Sequence, residues 1–190
     1  MKRQQLIHEI EVLGIDIFSM KDLQKLFPQE SNLKISVKRM LDAGVLMQVT
    51  RSIYALKGGN LDIEKVATRL YYPSYISFES VLSKYGIINQ GLYGLTLATT
   101  RHSKKVTLAG IDCQYSQLKP ALFFGFDLVN GTYLAQPEKA FLDQLYLMSL
   151  GKRTGNTSEW DLNPMDTKKV NDNLQFFTHR VQEKVSQMGF

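Results

Sequence analysis

The stretch from Phe18 to Leu56 constrains this chain most, because its breaks leave room only for two short helices and a two-stranded ribbon. Ser19 stands three residues before Asp22 and ahead of Leu23 and Leu26, the spacing of a cap and first helical turn. Pro28, with Gln29 and Glu30, ends that helix. Ser31 or Asn32 can cap a second one, in which Leu33, Val37, Met40 and Leu41 recur at spacings of three and four and predict a buried stripe. Lys34, Ser36, Lys38 and Arg39 are expected to turn away from it, and these are residue types that meet phosphates and base edges. Gly44 stands at the helix stop. Val45 to Val49 then reads as a strand, Thr50-Arg51-Ser52 as a turn, and Ile53 to Leu56 as the returning strand. A basic helix followed at once by a hairpin with Arg51 at its tip predicts a winged helix-turn-helix. Its helix would enter the major groove while Arg51 reaches the backbone or minor groove beside it. The competing reading is a small α/β module for protein contacts whose basic residues are merely solvated.

Charge agrees with a polyanionic partner. The net charge is +5, with 23 Lys and Arg against 18 Asp and Glu. Residues 1–60 carry an excess of three and the much longer remainder an excess of two, so the charge is denser at the N-terminal end. Hydrophobic content of 44% is enough for a core. No run is long and apolar enough for a membrane span, and the start MKRQQLIHEIE lacks the apolar centre of a signal peptide. Cytoplasmic localisation, without a membrane partner, is therefore expected. The single cysteine, Cys113, excludes an internal disulfide and a cysteine-based zinc site.

Outside that stretch, residues 2–13 read as a helix with Leu6, Ile10 and Leu13 on its packed side. Lys57-Gly58-Gly59-Asn60 is a hinge, dividing a DNA-binding domain over 1–57 from a second domain over 61–190. A helix from Leu61 leads to Pro73, and Ser77 is expected to cap a short helix holding Val81, Leu82 and Tyr85 and ending at Gly86. Strands follow over Leu95–Thr100, Val106–Ala109, Asp112–Leu118, Phe123–Leu128 and Thr132–Gln136, the last two joined by the turn Asn130-Gly131. Pro137 opens a helix with Glu138 in its first turn, burying Ala140, Phe141, Leu145 and Leu147 or Met148 and ending at Gly151. Residues 152–164 form a polar loop anchored by Trp160 and Leu162. From near Asp166, Val170, Leu174, Phe177, Val181, Val185 and Met188 predict one last amphipathic helix, packed on its own domain or used as a dimer seam. The fold class is α+β: an N-terminal winged helix-turn-helix followed by a mixed α/β C-terminal domain.

Catalysis is not expected. The chain has no G-x-S-x-G, no H-E-x-x-H, no phosphate-binding Gly-rich loop and no dinucleotide fingerprint. His8, His102 and His179 are scattered, and Glu138 and Asp143 read as surface charges of one helix. No catalytic residue, cofactor or metal ligand is assigned. The run Thr100 to Lys105 offers a second basic patch through Arg101, Lys104 and Lys105, for nucleic acid or an acidic partner, or is simply a solvated loop tip.

Three segments, taken in order, resemble the AbiEi family, the antitoxins of type IV (abortive infection) toxin–antitoxin systems. RSIYALKG at Arg51–Gly58 is similar to the family's Arg-Gly-Val-Tyr wing, with Ser52 where the family usually has glycine. YISFESVLSKYGII at Tyr75–Ile88 resembles its segment after the linker, and LAQPEKAFLDQLYL at Leu134–Leu147 its Pro-Glu-Lys-Ala helix. The resemblance covers roughly residues 5–150 and does not reach the chain beyond Lys152. It implies a winged helix that binds the double-stranded operator of its own operon and represses it. It also implies a second domain that counters a nucleotidyltransferase-like toxin, in several such systems without a stable complex. The alternative is an interaction module that neutralises a toxin by direct binding, with DNA binding incidental.

Overall fold

A computed structural model describes residues 3–89, 91 and 94–190. The fold is mixed α+β, and the described chain forms two sheets and two compact units. The first unit comprises Met1–Val66 and Val106–Ile111, so it runs past the Gly58-Gly59 turn and takes in a later hairpin. It holds α1 (Arg3–Leu13), β1 (Phe18–Ser19), α2 (Met20–Leu26), α3 (Leu33–Asp42), β2 (Leu46–Thr50) and β3 (Ile53–Leu56), after which α4 (Ile63–Leu70) carries the chain onward.

Local chemistry accounts for these boundaries. The main-chain N–H of Ser19 donates to Asp22 Oδ2 at 2.8 Å and that of Asp22 donates to Ser19 Oγ at 3.3 Å, a reciprocal cap on α2. The hydroxyl and main-chain hydrogen bonds from Ser19 hold the Asp22 carboxyl below its ordinary range. At α3 only part of the expectation holds. Asn32 occupies the cap position, but its side chain makes no cap bond, and the Ile35 and Ser36 N–H groups go to its main-chain carbonyl instead. Leu13 is also exposed rather than packed, because Gly14 takes a left-handed conformation (φ +60°) and turns the chain so that Ile15 packs there.

Leu6, Ile10, Phe18, Leu23, Val37, Met40, Val45 and Leu46 make the core of this unit, with Leu33 and Leu41 packed at its margin. The three strands pair antiparallel in the order β1-β3-β2. A bulge between Gln48 and Thr50 and a left-handed Ser52 (φ +62°) shape the tip of the β2–β3 ribbon. The N–H of Ala109, in the added hairpin, donates to the Val49 carbonyl at 2.8 Å.

The second unit comprises Ala67–Lys105 and Asp112–Phe190. Its elements are β4 (Ser74–Ile76), α5 (Glu79–Lys84), β5 (Gly94–Thr99), β6 (Lys104–Leu108), β7 (Ile111–Gln117), β8 (Phe126–Val129), β9 (Thr132–Ala135), α6 (Pro137–Ser149), α7 (Thr167–Leu174) and α8 (His179–Gln187). The strands, including the hairpin assigned to the first unit, form one sheet in the order β6-β7-β5-β4-β9-β8. β4 runs antiparallel to β5 and parallel to β9, and β5 runs parallel to β7. A Cβ at Gly94 would lie 2.5 Å from the Asp112 carbonyl oxygen, so the β5–β7 pairing requires glycine there. Asn130 and Gly131 both have positive φ (51° and 82°), the two-residue turn that the dipeptide predicts between β8 and β9.

Three expectations for this unit are corrected. Ser77 does not cap α5: Phe78 holds the cap position at φ 58°, ψ −140°, and the Ser77 hydroxyl is spent elsewhere. Glu138 and Asp143 are not surface charges, because α6 is buried from Glu138 to Leu147 around its whole circumference. The last helix is two helices. Asn171, Asp172 and Asn173 are weak helix formers, α7 stops at Leu174, and Gln182 Nε2 donates to the freed carbonyls of Leu174 (3.4 Å) and Phe177 (3.1 Å). The predicted stripe survives the break, since Val170, Phe177, Val181 and Val185 are all buried and both helices pack on α6. No described helix is long and apolar enough to cross a membrane.

Candidate nucleic-acid interface

The outward surface of α3 follows from its 3.6-residue period. Lys34, Lys38 and Asp42 stand a turn apart in one row, and Ile35 and Arg39 form the next. Lys34, Lys38 and Arg39 are exposed, and no ion pair engages them among the described residues. Ser36 is different: it is half-buried, and its hydroxyl donates to Glu30 Oε1 at 3.2 Å. It therefore helps tie the helix start to the preceding turn. Between the two lysines and Arg39 lies Ile35, 51% exposed, which the sequence reading passed over. Its signal was present, as an apolar residue outside the buried stripe.

Arg51 is exposed at the tip of the β2–β3 ribbon, immediately before the left-handed Ser52. A serine can hold that conformation at a modest strain cost, so the turn forms without glycine.

In the second unit the basic run is ordered around Tyr71. The Arg101 guanidinium lies 4.3 Å from the Tyr71 ring centroid and the Lys104 ammonium 5.2 Å. The Tyr71 hydroxyl donates to the His102 carbonyl at 2.9 Å, and the Gln117 N–H donates to Ser103 Oγ at 3.0 Å. Lys104 and Lys105 belong to β6 rather than to a loop tip, and consecutive strand residues point to opposite faces. Arg101 and Lys104 thus share Tyr71, while Lys105 is directed away from them.

A buried assembly of ionisable groups on α6 has no counterpart in the expectations from sequence. Lys139 and Asp143, four apart on α6, form an ion pair with both side chains at 0% exposure. Lys139 Nζ donates to the Tyr75 hydroxyl at 3.0 Å, and Tyr75 in turn donates to Asp143 Oδ2 at 2.8 Å. The Ser77 hydroxyl donates to the same oxygen at 2.9 Å. The Phe124, Phe177 and Tyr75 rings surround the ammonium at 5.0, 5.4 and 5.6 Å. Burial pushes the Asp143 carboxyl up against the opposing pull of Lys139, Tyr75 and Ser77, and it pushes the Lys139 ammonium down. Tyr75 is raised well above an ordinary phenol, first by burial and then by the Asp143 charge.

A second pair links Arg153 to Glu79, with Gln144 Nε2 donating to Glu79 Oε1 at 2.9 Å and Arg153 Nη2 donating to Ser116 Oγ at 3.0 Å. Glu138 Oε1 accepts the Asp166 N–H at 3.0 Å, at the start of α7. With no exposed atom at Lys139 or Asp143, their pair ties β4 to α6 through Tyr75. Among the described residues, no group of His, Cys, Asp and Glu could hold a metal ion. Cys113 is buried in β7.

No protein-family model matches the chain, and its sequence finds no match among curated proteins. In three dimensions it is similar to the crystal structure of the RV2827C protein from Mycobacterium tuberculosis. The TM-score is 0.67 at 10% identity, over 97% of this chain and 74% of that one. At that identity the likeness concerns the fold alone.

Proposed function

We propose that the first unit is a winged helix-turn-helix that binds duplex DNA, and that the protein is the autoregulating antitoxin of a toxin–antitoxin operon. The observation that carries the DNA reading is the outward face of α3, where Lys34, Lys38 and Arg39 stand around an exposed Ile35 with no ion-pair partner among the described residues. Cations left without carboxylate partners are suited to phosphates and to guanine edges, and an isolated aliphatic side chain among them is suited to a thymine methyl. α2 with its cap supports α3 from behind, and β2–β3 with Arg51 serves as the wing. The antitoxin part rests on the resemblance of the wing, of Tyr75–Ile88 and of Leu134–Leu147 to the AbiEi family. The nucleotidyltransferase-like toxin is its implied functional partner.

The test is fluorescence anisotropy with DNA from directly upstream of the gene and with scrambled DNA, each at two salt concentrations. Replacing Arg39 with Ala is expected to cost about 1–3 kcal/mol on the preferred DNA and to relax one position. Replacing Lys38 with Ala should weaken both DNAs alike and flatten the salt dependence by roughly one phosphate contact. If Lys34, Lys38, Arg39 and Arg51 can be replaced together without loss of affinity, the docking face is wrong.

One observation favours a second reading, direct binding of a protein partner. β8 is an edge strand with Leu128 and Val129 exposed, and such an edge can accept an added strand. A complex with the neighbouring gene product that survives high salt would favour it.

A further inference from the structure

We propose that a recess in the second unit binds the phosphoryl group of a small anionic ligand. The recess has a volume of about 340 Å³, within the range of small-molecule sites, and lies beside the start of β6 and the end of β7. Lys105 comes from β6, Gln114 and Ser116 from β7, and Lys152 from the chain just after α6, with Ser103 at the rim and Leu147 as an apolar wall. No Asp or Glu is on the lining. Neither Lys105 nor Lys152 has an ion-pair partner among the described residues.

The hydroxyls are set to donate. Ser116 is 8% exposed, and its Oγ already accepts from Arg153 Nη2 at 3.0 Å, so its own proton is left without an acceptor among the described residues. Ser103 Oγ likewise accepts the Gln117 N–H at 3.0 Å and keeps its proton. Two ammonium groups, two hydroxyl protons and the Gln114 amide, with no acceptor of negative charge, suit a tetrahedral dianion that accepts from several directions at once. Lys104 also borders the recess, but its ammonium sits over Tyr71. The site shares no residue with α3, so it stands or falls apart from the DNA reading.

The experiment is isothermal titration calorimetry of the full chain with inorganic phosphate, tripolyphosphate, ATP and adenosine. A Lys105→Gln/Lys152→Gln variant is compared with wild type. A Lys34→Ala/Lys38→Ala/Arg39→Ala variant is the control, because α3 also attracts polyanions. Expected is one site for at least one phosphorylated probe, with Kd below about 1 mM. That affinity should fall at least about tenfold in the Lys105/Lys152 variant and stay unchanged in the α3 variant. Equal binding of tripolyphosphate and ATP would make the phosphates the whole ligand, and tighter ATP binding would add the nucleoside. An unchanged thermal melt and unchanged Trp160 fluorescence of the Lys105/Lys152 variant show that its second unit is folded. Absence of binding by every phosphorylated probe overturns the proposal. So does adenosine binding as well as ATP, or a loss confined to the α3 variant.

Discussion

Replacing Lys139 with Met leaves the Asp143 carboxylate fully buried with only the Tyr75 and Ser77 hydroxyls as donors. Removing one partner of a buried pair costs about 3–5 kcal/mol, and the two remaining donors put this variant near 3. Replacing Asp143 with Leu should cost more, near 5 kcal/mol, because the ammonium keeps a single oxygen acceptor and the Tyr75 and Ser77 hydroxyls lose theirs as well. The double variant removes both charges together with their desolvation. What remains is the loss of an acceptor for two buried hydroxyls, about 1–3 kcal/mol each. It should therefore lie below the sum of the singles, with a coupling energy of about 2–6 kcal/mol. Urea unfolding followed by the fluorescence of Trp160 isolates the transition, because this single tryptophan lies in the second unit with its ring 5.9 Å from Phe141. Single variants that each cost under about 1 kcal/mol, or costs that simply add in the double, would refute the account of α6 as a charge-locked core helix.

Two further predictions use the titrating groups. The Cys113 thiol is pushed up to about 11 by burial, so at pH 8 only roughly one in a thousand is thiolate. Alkylation by iodoacetamide should be slower than for a free cysteine by two orders of magnitude or more, and urea should restore it; fast labelling of the native chain would contradict the burial. At α2, the Asp22 carboxyl is held below its ordinary range, so its contribution is present above the unfolded pKa and is lost as pH falls through the folded one. Ser19→Ala should cost about 0.5–2 kcal/mol at pH 7 and progressively less in acid, measured by urea unfolding across that range. A cost that does not change with pH would assign it to packing rather than to the cap.

Much of the first unit was legible in the sequence because its signals act over a few residues. Ser19 and Asp22 cap each other three residues apart, Gly44 accepts the left-handed conformation that ends α3, and Asn130-Gly131 closes a two-residue turn. The spacing of Leu33, Val37, Met40 and Leu41 is the helical period itself, and it placed Lys34, Lys38 and Arg39 outward. Where a residue had another neighbour to choose, the local rule failed. Ser36 turned to Glu30, Ser77 turned to Asp143, and Asn32 capped with its carbonyl.

The second unit depended on partners distant in the chain. Charge alone marked Glu138 and Asp143 as surface residues. Tyr75 and Ser77, more than sixty positions away, make Asp143 a core residue by supplying donors that offset its desolvation. β4 was invisible for a related reason: Ser74, Tyr75 and Ile76 are all buried, so the run has no alternation to read. The heptad-like stripe from Val170 to Met188 runs on through the break between α7 and α8, since side-chain periodicity does not report where main-chain hydrogen bonds stop. The recess near Lys105 has the same origin, since only the folding of α6 against the sheet brings Lys152 and Leu147 to Ser116. Sequence alone thus determined the Ser19–Asp22 cap, the turns at Gly44 and Asn130-Gly131 and the outward cations of α3, which depend on neighbours along the chain. Tertiary structure decided which charges are buried, which helix breaks, and which donors converge, because desolvation and pairing depend on neighbours in space.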